Sequence, residues 1–273
     1  MTVTAPARLS VHGLSVGYPG RLVIDGLDLA FSPGRVTAVI GANACGKSTL
    51  LSALARVLTP SAGRIELDGV DAASLSRRRF AQEVGLLPQQ PTAPDGLTVA
   101  ELVSRGRHPH RGVFARWSPA DSAIVDDALA RTGVAALADR PIGDLSGGQR
   151  QRVWIAMALA QEPRILLLDE PTTFLDLSHQ IEVLDLMRAL NRDTGTTVIA
   201  VLHELNLAAR YADDLIVMSQ GRVLAQGAPA DVLTREVVAT AFDLDALVMA
   251  DPLTQTPLVI PVPGGAHAPA DAR

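Results

Sequence analysis

Three apolar runs along the chain have the composition of buried parallel strands. They occupy residues 36–40, 165–168 and 196–202 and consist mainly of aliphatic side chains. A strand carries such a run when helices cover both faces of its sheet, as they do in parallel sheets. Ligands collect at the carboxyl ends of parallel strands. The pattern therefore predicts an α/β fold with a mostly parallel sheet and a functional site along that edge.

The N-terminal part of the chain has a different pattern. Residues 9–16 and 22–31 alternate between apolar and polar positions, with a Pro-Gly pair at 19–20 between them. Such alternation predicts antiparallel strands joined by a turn. Residues 63–69 are predicted to form another short strand, and residues 1–7 a loose start.

The pattern over residues 92–144 predicts helices that lie outside the core of the domain. Breaks are expected at the prolines in positions 94, 109, 119 and 141. Apolar residues 153, 155, 156 and 159 recur at helical spacing and predict the helix by which this insert returns. The insert is too short and too rich in proline for a long coiled coil. We expect one domain over residues 8–250, with a helical subdomain inserted at about 92–152.

The C-terminal third predicts a short helix at 206–211, two strands at 215–219 and 223–227, and a helix over 231–247. We expect residues 251–273 to form a short extension. Its last ten residues are rich in Gly, Ala and Pro, a composition typical of disorder.

A glycine-rich turn follows the first buried strand and begins a helical pattern. It reads Gly41-Ala42-Asn43-Ala44-Cys45-Gly46-Lys47-Ser48-Thr49. Glycines let a backbone curl around an anion, and the exposed N–H groups and helix dipole bind phosphates. Lys47 is expected to reach the β- and γ-phosphates, and the Ser48 hydroxyl to bind Mg²⁺. The turn predicts a site for a nucleoside triphosphate.

A second glycine turn also begins a helix, at Leu145-Ser146-Gly147-Gly148-Gln149. Its N–H groups are suited to a second phosphate. One chain with one nucleotide has little use for two such turns. Two copies arranged head to tail do, because each second turn then closes over the γ-phosphate held by the partner.

Polar residues follow the other two buried strands. Asp169 is a candidate Mg²⁺ ligand, and Glu170 is placed to accept a proton from an attacking water. The alternative for these acids is a solvated strand end. His203 follows the third strand, beside the expected position of the γ-phosphate, although a histidine there can also be purely structural.

These motifs, in this order, resemble those of the nucleotide-binding subunits of ATP-binding cassette (ABC) transporters. The resemblance covers nearly all of residues 8–250. It implies a P-loop NTPase core with a mostly parallel sheet, an N-terminal antiparallel β subdomain and the inserted α-helical subdomain. It also implies that ATP and Mg²⁺ are the cofactors.

Single residues take expected roles from this resemblance. Tyr18 stands where the family stacks an aromatic ring on adenine, and Gln89 where a glutamine senses the metal and the attacking water. Asp176 matches the aspartate that couples the two sites of a dimer. Two positions depart from the pattern: Ala44 replaces a glycine found in many relatives, and Phe174 a smaller residue. If position 44 needs a positive φ, alanine costs about 1 kcal/mol there.

Composition narrows the possible partners. The net charge of −5 argues against a nucleic-acid binder, and the single cysteine, Cys45, excludes a disulfide framework within the chain. No apolar run approaches the roughly 18 residues of a membrane span. If the chain powers transport, we expect it at the cytoplasmic face of the membrane, bound to permease subunits that form the pore.

The transported cargo is indicated by resemblance alone. Residues 105–110, 169–180 and 203–211 resemble importers of iron-siderophore, haem and cobalamin type, and iron-siderophore import is the first expectation. Such importers also work with a substrate-binding protein. Residues 105–110 are alternatively a solvated basic loop. An exporter ATPase stays open as the main alternative function, and a non-transport ABC ATPase is less favoured.

Overall fold

The computed structural model describes residues 8–111, 116–173 and 175–262. Its central sheet has six strands in the order β10-β9-β3-β8-β7-β6, all parallel except β10, which pairs antiparallel with β9. Their bounds are β3 (Val36–Gly41), β6 (Val84–Leu87), β7 (Ile165–Asp169), β8 (Thr197–Val201), β9 (Asp214–Ser219) and β10 (Arg222–Gly227). The predicted α/β fold with a mostly parallel sheet is confirmed.

A second sheet lies at the N-terminal end of the chain, with the order β2-β1-β4-β5 and antiparallel pairing throughout. Its strands are β1 (Leu9–Tyr18), β2 (Arg21–Phe31), β4 (Ala62–Leu67) and β5 (Val70–Asp71). The predicted strands and the turn at 19–20 are present, so the alternation of polar and apolar residues identified this sheet correctly.

Nine α-helices occur among the described residues. They are α1 (Lys47–Leu54), α2 (Arg77–Glu83), α3 (Val99–Ser104), α4 (Pro119–Arg131), α5 (Gly147–Ala160), α6 (Leu177–Thr194), α7 (Leu205–Tyr211), α8 (Pro229–Val232) and α9 (Arg235–Phe242). No described helix combines the length and apolar character that crossing a bilayer requires.

Alternate residues of the buried strands contribute to two cores. Ala38 and Leu166 face the core shared with α5 and α6. Val39 and Leu167 face the core shared with α1 and the N-terminal sheet. Both faces of the central sheet are therefore covered, which explains why its strands are continuously apolar.

The inserted helices pack on one another, and three of them begin with a capping box. Thr98 with Glu101, Ser118 with Asp121, and Ser146 with Gln149 satisfy the first N–H groups of α3, α4 and α5. Regular helix begins only at Val99, so the expected helix from residue 92 starts late. Pro119 is the first residue of α4, a position that lacks a helical hydrogen bond in any case.

The alternative of a solvated basic loop at residues 105–110 is wrong for its central arginine. Arg107 is buried, and its guanidinium donates to Asp121, Glu162 and the carbonyl of Ala160 at 2.8–3.1 Å. A buried guanidinium is tolerated because these acceptors satisfy it. The segment thereby joins α4 to the end of α5.

The expected helix over 231–247 is correct only in part, because its residues divide between α8, α9 and the start of a strand. Thr234 caps a new helix, and Asp243, with a φ of 55°, ends it in the left-handed region. Residues Ala246–Ala250 then form β11, which pairs antiparallel with β12 (Pro257–Pro261). This hairpin spans the expected boundary at residue 250. The expected loose start, Phe174 and the expected disordered last ten residues lie outside the described residues.

Candidate active site

The loop between β3 and α1 is shaped by left-handed backbone. A Cβ on Gly41 would lie 2.2 Å from the carbonyl oxygen of Met218, so this position accepts only glycine. Gly46 has a φ of 110° and immediately precedes α1. Ala44 has a φ of 61°, so the alanine does occupy a position where glycine would be unstrained.

Lys47 lies at the centre of this loop and is 5% exposed. Its Nζ donates to the carbonyl oxygens of Gly41 and Ala42, both at 2.9 Å, and lies 4.0 Å from the buried Cys45 Sγ. It is also the only lysine in the sequence. A buried ammonium needs such acceptors, and phosphate oxygens are the anionic alternative to them.

Two oxygen ligands meet where β7 approaches α1. Ser48 Oγ donates to Asp169 Oδ1 at 3.0 Å. Burial raises the pKa of Asp169 and the nearby charge of Glu170 raises it further, while the hydrogen bond from Ser48 opposes the shift. A cation would relieve the cost of this buried charge, and Mg²⁺ prefers few protein oxygens together with phosphates. Ser48 and Asp169 therefore fit a magnesium ion.

Glu170 is held by three side chains. Its carboxylate oxygens lie 2.7 Å from His203 Nε2, 2.5 Å from Gln89 Nε2 and 3.1 Å from Thr173 Oγ1. Glu170, Gln89 and His203 follow β7, β6 and β8, which are neighbours in the sheet, so the topology itself brings these residues together.

The backbone of Glu170 also has an unusual conformation. Its φ is 52°, in the left-handed region that non-glycine residues rarely adopt. Such a conformation costs on the order of 1–3 kcal/mol and persists where the surroundings hold it. Here three hydrogen-bond partners from the same chain fix the orientation of the carboxylate.

A cleft of about 190 Å³ lies beside the loop. Its lining combines the expected residues Tyr18, Asn43, Ala44, Gly46, Lys47, Ser48, Thr49 and Glu170 with Arg21 and Val23 of β2. Sequence reasoning missed Arg21, Val23 and Thr173. The signal for the first two was their position on the strand that follows the Tyr18 turn.

The second glycine turn lies apart from this cleft. Ser146 and Gln149 form the capping box of α5, Gly147 has open space around its Cα, and Gly148 lies against the ring of His179. None of Ser146, Gly147, Gly148, Gln149 and Asp176 lines the described cleft. Within one chain, the structure therefore does not bring the two glycine turns to one pocket.

Asp176 caps the first turn of α6. Hydrogen bonds from the backbone N–H and ring of His179 and from the Ser178 hydroxyl lower the pKa of Asp176 to about 2. Its side chain is largely exposed, and its hydrogen-bond partner His179 also lies against Gly148 of the second glycine turn.

Comparison with known proteins agrees with this geometry. Residues 24–173 match the family described as ABC transporter. The chain is 52% identical to the achromobactin transport ATP-binding protein CbrD of Dickeya dadantii, covering 91% of this chain and 92% of that protein. It is 47% identical to the ferric enterobactin transport ATP-binding protein FepC of Escherichia coli, covering 98% of each.

Solved structures give the same result. The dimeric structure of MJ0796, a bacterial ABC transporter cassette, superposes with a TM-score of 0.72 at 26% identity, covering 81% of this chain and 98% of that one. A phosphate-binding loop, a strand that ends in two acids and a capped second glycine turn occur together on one fold. The chain therefore belongs to the ABC transporter family and is an ATP-binding, ATP-hydrolysing subunit.

Proposed function

We propose that this chain is the ATPase subunit of an importer that takes up an iron-siderophore complex. The observation that carries its chemistry is the Glu170 carboxylate, which Gln89, His203 and Thr173 hold at the carboxyl edge of the sheet. The support for import is the similarity to a petrobactin import ATP-binding protein of Bacillus anthracis and an iron(3+)-hydroxamate import ATP-binding protein of Bacillus subtilis, at 47% and 45% identity.

The loop of β3 and α1 holds the triphosphate in this proposal. The Lys47 ammonium exchanges its two carbonyl acceptors for β- and γ-phosphate oxygens, and the loop N–H groups bind the remaining charge. Tyr18 stacks on the adenine from the end of β1. Ser48, Asp169 and Gln89 would hold Mg²⁺, which would neutralise charge on the phosphates.

Glu170 acts on the attacking water. Its oriented carboxylate accepts the water proton as the water oxygen bonds to the γ-phosphorus and the bond from that phosphorus to the β–γ bridging oxygen breaks, which leaves ADP and inorganic phosphate. His203 donates through Nε2 and thereby fixes the rotation of the carboxylate, and Gln89 fixes its other oxygen. The chain thus supplies a base together with positioning and the Lys47 charge, and positioning and electrostatic stabilisation are the main protein contributions to phosphoryl transfer.

One chain supplies only half of the final pocket in this proposal. Ser146, Gly147, Gly148 and Gln149 lie outside the chain's own cleft, while Gly147 is open to the surroundings. A second copy in a twofold arrangement places this turn over the γ-phosphate held by its partner, and Asp176 lies at the same junction. The dimeric structure of the similar cassette supports an assembly of two copies.

The decisive variant for the chemistry is Glu170→Gln. It keeps the shape of the side chain but removes the base, so ATP hydrolysis should fall by about 10²–10⁴-fold while ATP binding is retained. ATP should then hold two copies together, which light scattering detects. Glu182→Gln is the control, because Glu182 is a surface glutamate paired with Arg152. Unchanged hydrolysis in Glu170→Gln would overturn the assignment.

Partners and cargo need a membrane experiment. We infer that the chain lies at the cytoplasmic face of the membrane, on permease subunits, and works with a substrate-binding protein. Purification of the tagged chain from membranes should recover both. Recovery of a permease without a binding protein would favour export instead. Uptake of radioactive iron as a siderophore complex, compared with cobalamin uptake, identifies the cargo.

A further inference from the structure

His179 connects two parts of the molecule that the proposed mechanism uses separately. It occupies the third position of α6, three residues after Asp176. Its ring lies against Gly148 in the second glycine turn. The mechanism above gives His179 no role. Because it contacts both Asp176 and Gly148, a change at Asp176 can alter the turn at 146–148.

The contact with Asp176 is a short hydrogen bond. His179 Nδ1 lies 2.6 Å from Asp176 Oδ1, and the same oxygen accepts the His179 backbone N–H at 3.0 Å and the Ser178 hydroxyl at 2.9 Å. A ring nitrogen bonds to a carboxylate only through N–H, so Nδ1 carries a proton. Asp176 thus fixes both the start of α6 and the orientation of the imidazole.

The contact with Gly148 is steric. A Cβ built on Gly148 would lie 2.6 Å from His179 Cδ2 and 3.2 Å from Nε2, so the ring fills the space that any larger residue would need. Gly147 differs, since a Cβ built there has nothing within 4 Å. One side of the turn is therefore open, and the other side is supported by an imidazole that Asp176 holds.

We propose that His179 is a positioning residue for the turn at 146–148. Its ring supports the turn while Asp176 accepts the Nδ1 hydrogen bond, and it stops supporting the turn when that bond is lost. This rests on the proposed sandwich of two copies, in which Asp176 and the turn both face the partner. All three donors go to Asp176 Oδ1 on an exposed side chain, so a partner donor that turns the carboxylate toward itself lengthens the bond from His179 Nδ1. Loss of that bond frees the ring and removes the support behind Gly148, which couples the partner's approach to the second glycine turn.

The first test distinguishes ATP binding by the isolated chain from ATP-dependent dimerisation of two copies. His179→Gln is the informative variant, because glutamine at this helix position also suits a capping box but has no ring to support Gly148. We expect unchanged affinity of the isolated chain for a fluorescent ATP analogue. In the Glu170→Gln background, the ATP concentration for half-maximal dimerisation should rise, and in the otherwise wild-type transporter kcat should fall about ten- to hundredfold with KM little changed.

The matched control is His12→Gln. The His12 side chain is 41% exposed, compared with 39% for His179, and it pairs with Glu66 on the N-terminal sheet. It should change none of these quantities. Dimerisation and kcat of His179→Gln equal to those of the parent chain would overturn the proposal. Failure of Glu170→Gln itself to dimerise would instead overturn the two-copy sandwich.

A second measurement does not depend on dimerisation. Gly148→Ala should lower the thermal midpoint Tm of the full chain by a few degrees, because the new Cβ meets the His179 ring. The same substitution in a His179→Ala chain should lower it much less, and Gly147→Ala should be tolerated in both. Equal losses from Gly148→Ala in both backgrounds would show that His179 does not support the turn.

Discussion

The two glycine turns that begin α1 and α5 are similar in sequence but differ in their surroundings. The first is enclosed by its own chain: Lys47 is buried and bonded to Gly41 and Ala42, and the Ser48 hydroxyl is bonded to Asp169. The second has a capped helix start and a supporting histidine ring on one side, and open space at Gly147 on the other.

This difference indicates that the two glycine turns act at different steps. A turn whose polar groups already have partners within the chain can bind a nucleotide by exchanging those partners for phosphates. A turn with an open side has its backbone shaped in advance but needs a ligand brought from outside. The first glycine turn therefore binds the nucleotide of its own chain, and the second closes over the nucleotide of the partner. Mutations in the first turn should affect ATP binding, and mutations in the second should affect hydrolysis by the assembled dimer.

The largest effect is expected in the first turn, with Lys47→Ala. Loss of the ammonium removes the direct charge on the β- and γ-phosphates, so ATP affinity should fall by more than about 100-fold, as expected for loss of a charge-assisted bond in a buried site. Titration with a fluorescent ATP analogue measures this. Lys47→Arg keeps the charge but not the compact ammonium, and should also bind poorly.

The absence of any other lysine gives an independent check. An amine-acylating reagent can modify a side chain of this protein only at Lys47. Bound ATP should protect that position, and mass spectrometry can measure the extent of protection. Equal labelling with and without ATP would contradict the placement of Lys47 on the phosphates.

The second turn should respond to Ser146→Ala at a later step. Ser146 Oγ accepts the N–H of Gln149, so its loss should destabilise the chain by about 1 kcal/mol. Binding of ATP to the isolated chain should be unchanged, while hydrolysis by the assembled transporter falls. Ser118→Ala removes an equivalent cap from α4 and is the control. An equal loss of hydrolysis in both variants would mean that only helix stability is involved.

The sequence predicted those parts of the site that depend on short spacing and strand order. The loop at 41–49 and the acids at 169–170 are each contained in a few residues. The meeting of Glu170 and His203 follows from neighbouring parallel strands, whose carboxyl ends share one edge, whereas Gln89 was assigned from the family resemblance alone. Where local pattern and topology agree, site prediction needs no detailed packing.

What could not be predicted depends on contacts between distant segments. The left-handed backbone of Glu170 and the ring of His179 against Gly148 have no periodic signature. The basic run around Arg107 was consistent with a solvated loop until Asp121 and Glu162 were found beside it. The expected helix over 231–247 runs past the true helix end into the first two residues of the C-terminal hairpin, since the turn at Asp243 is not encoded by glycine.

A smaller effect should sharpen the description of the first turn. Ala44→Gly relieves left-handed strain of about 1–2 kcal/mol, while the greater entropy of the unfolded chain opposes this by about 0.4–1 kcal/mol, so a net stabilisation of up to about 1.6 kcal/mol is expected. Ala42→Gly in the same loop removes no such strain and should lower stability. Chemical denaturation measures both. Destabilisation by Ala44→Gly would show that the loop is not strained at this position.

The smallest effect concerns the pH dependence of the region around the second turn. The pKa of Asp176 is about 2 in the folded chain, against about 3.9 when unfolded, because His179 and Ser178 donate to the carboxylate. A lowered pKa means that the carboxylate stabilises the fold above about pH 4 and loses this contribution as the pH falls from about 4 to about 2. Asp176→Asn keeps an N-cap acceptor but cannot ionise.

The expected result is a variant that is slightly less stable than wild type at pH 6, with a difference in Tm that shrinks as the pH approaches 3. The difference should be small, since solvent screens an exposed carboxylate. A constant difference across this range would show that the Asp176 charge does not stabilise the start of α6. In that case the imidazole of His179 would be held by its packing on Gly148 and not by the carboxylate, and a partner that recruits Asp176 would not release the second glycine turn.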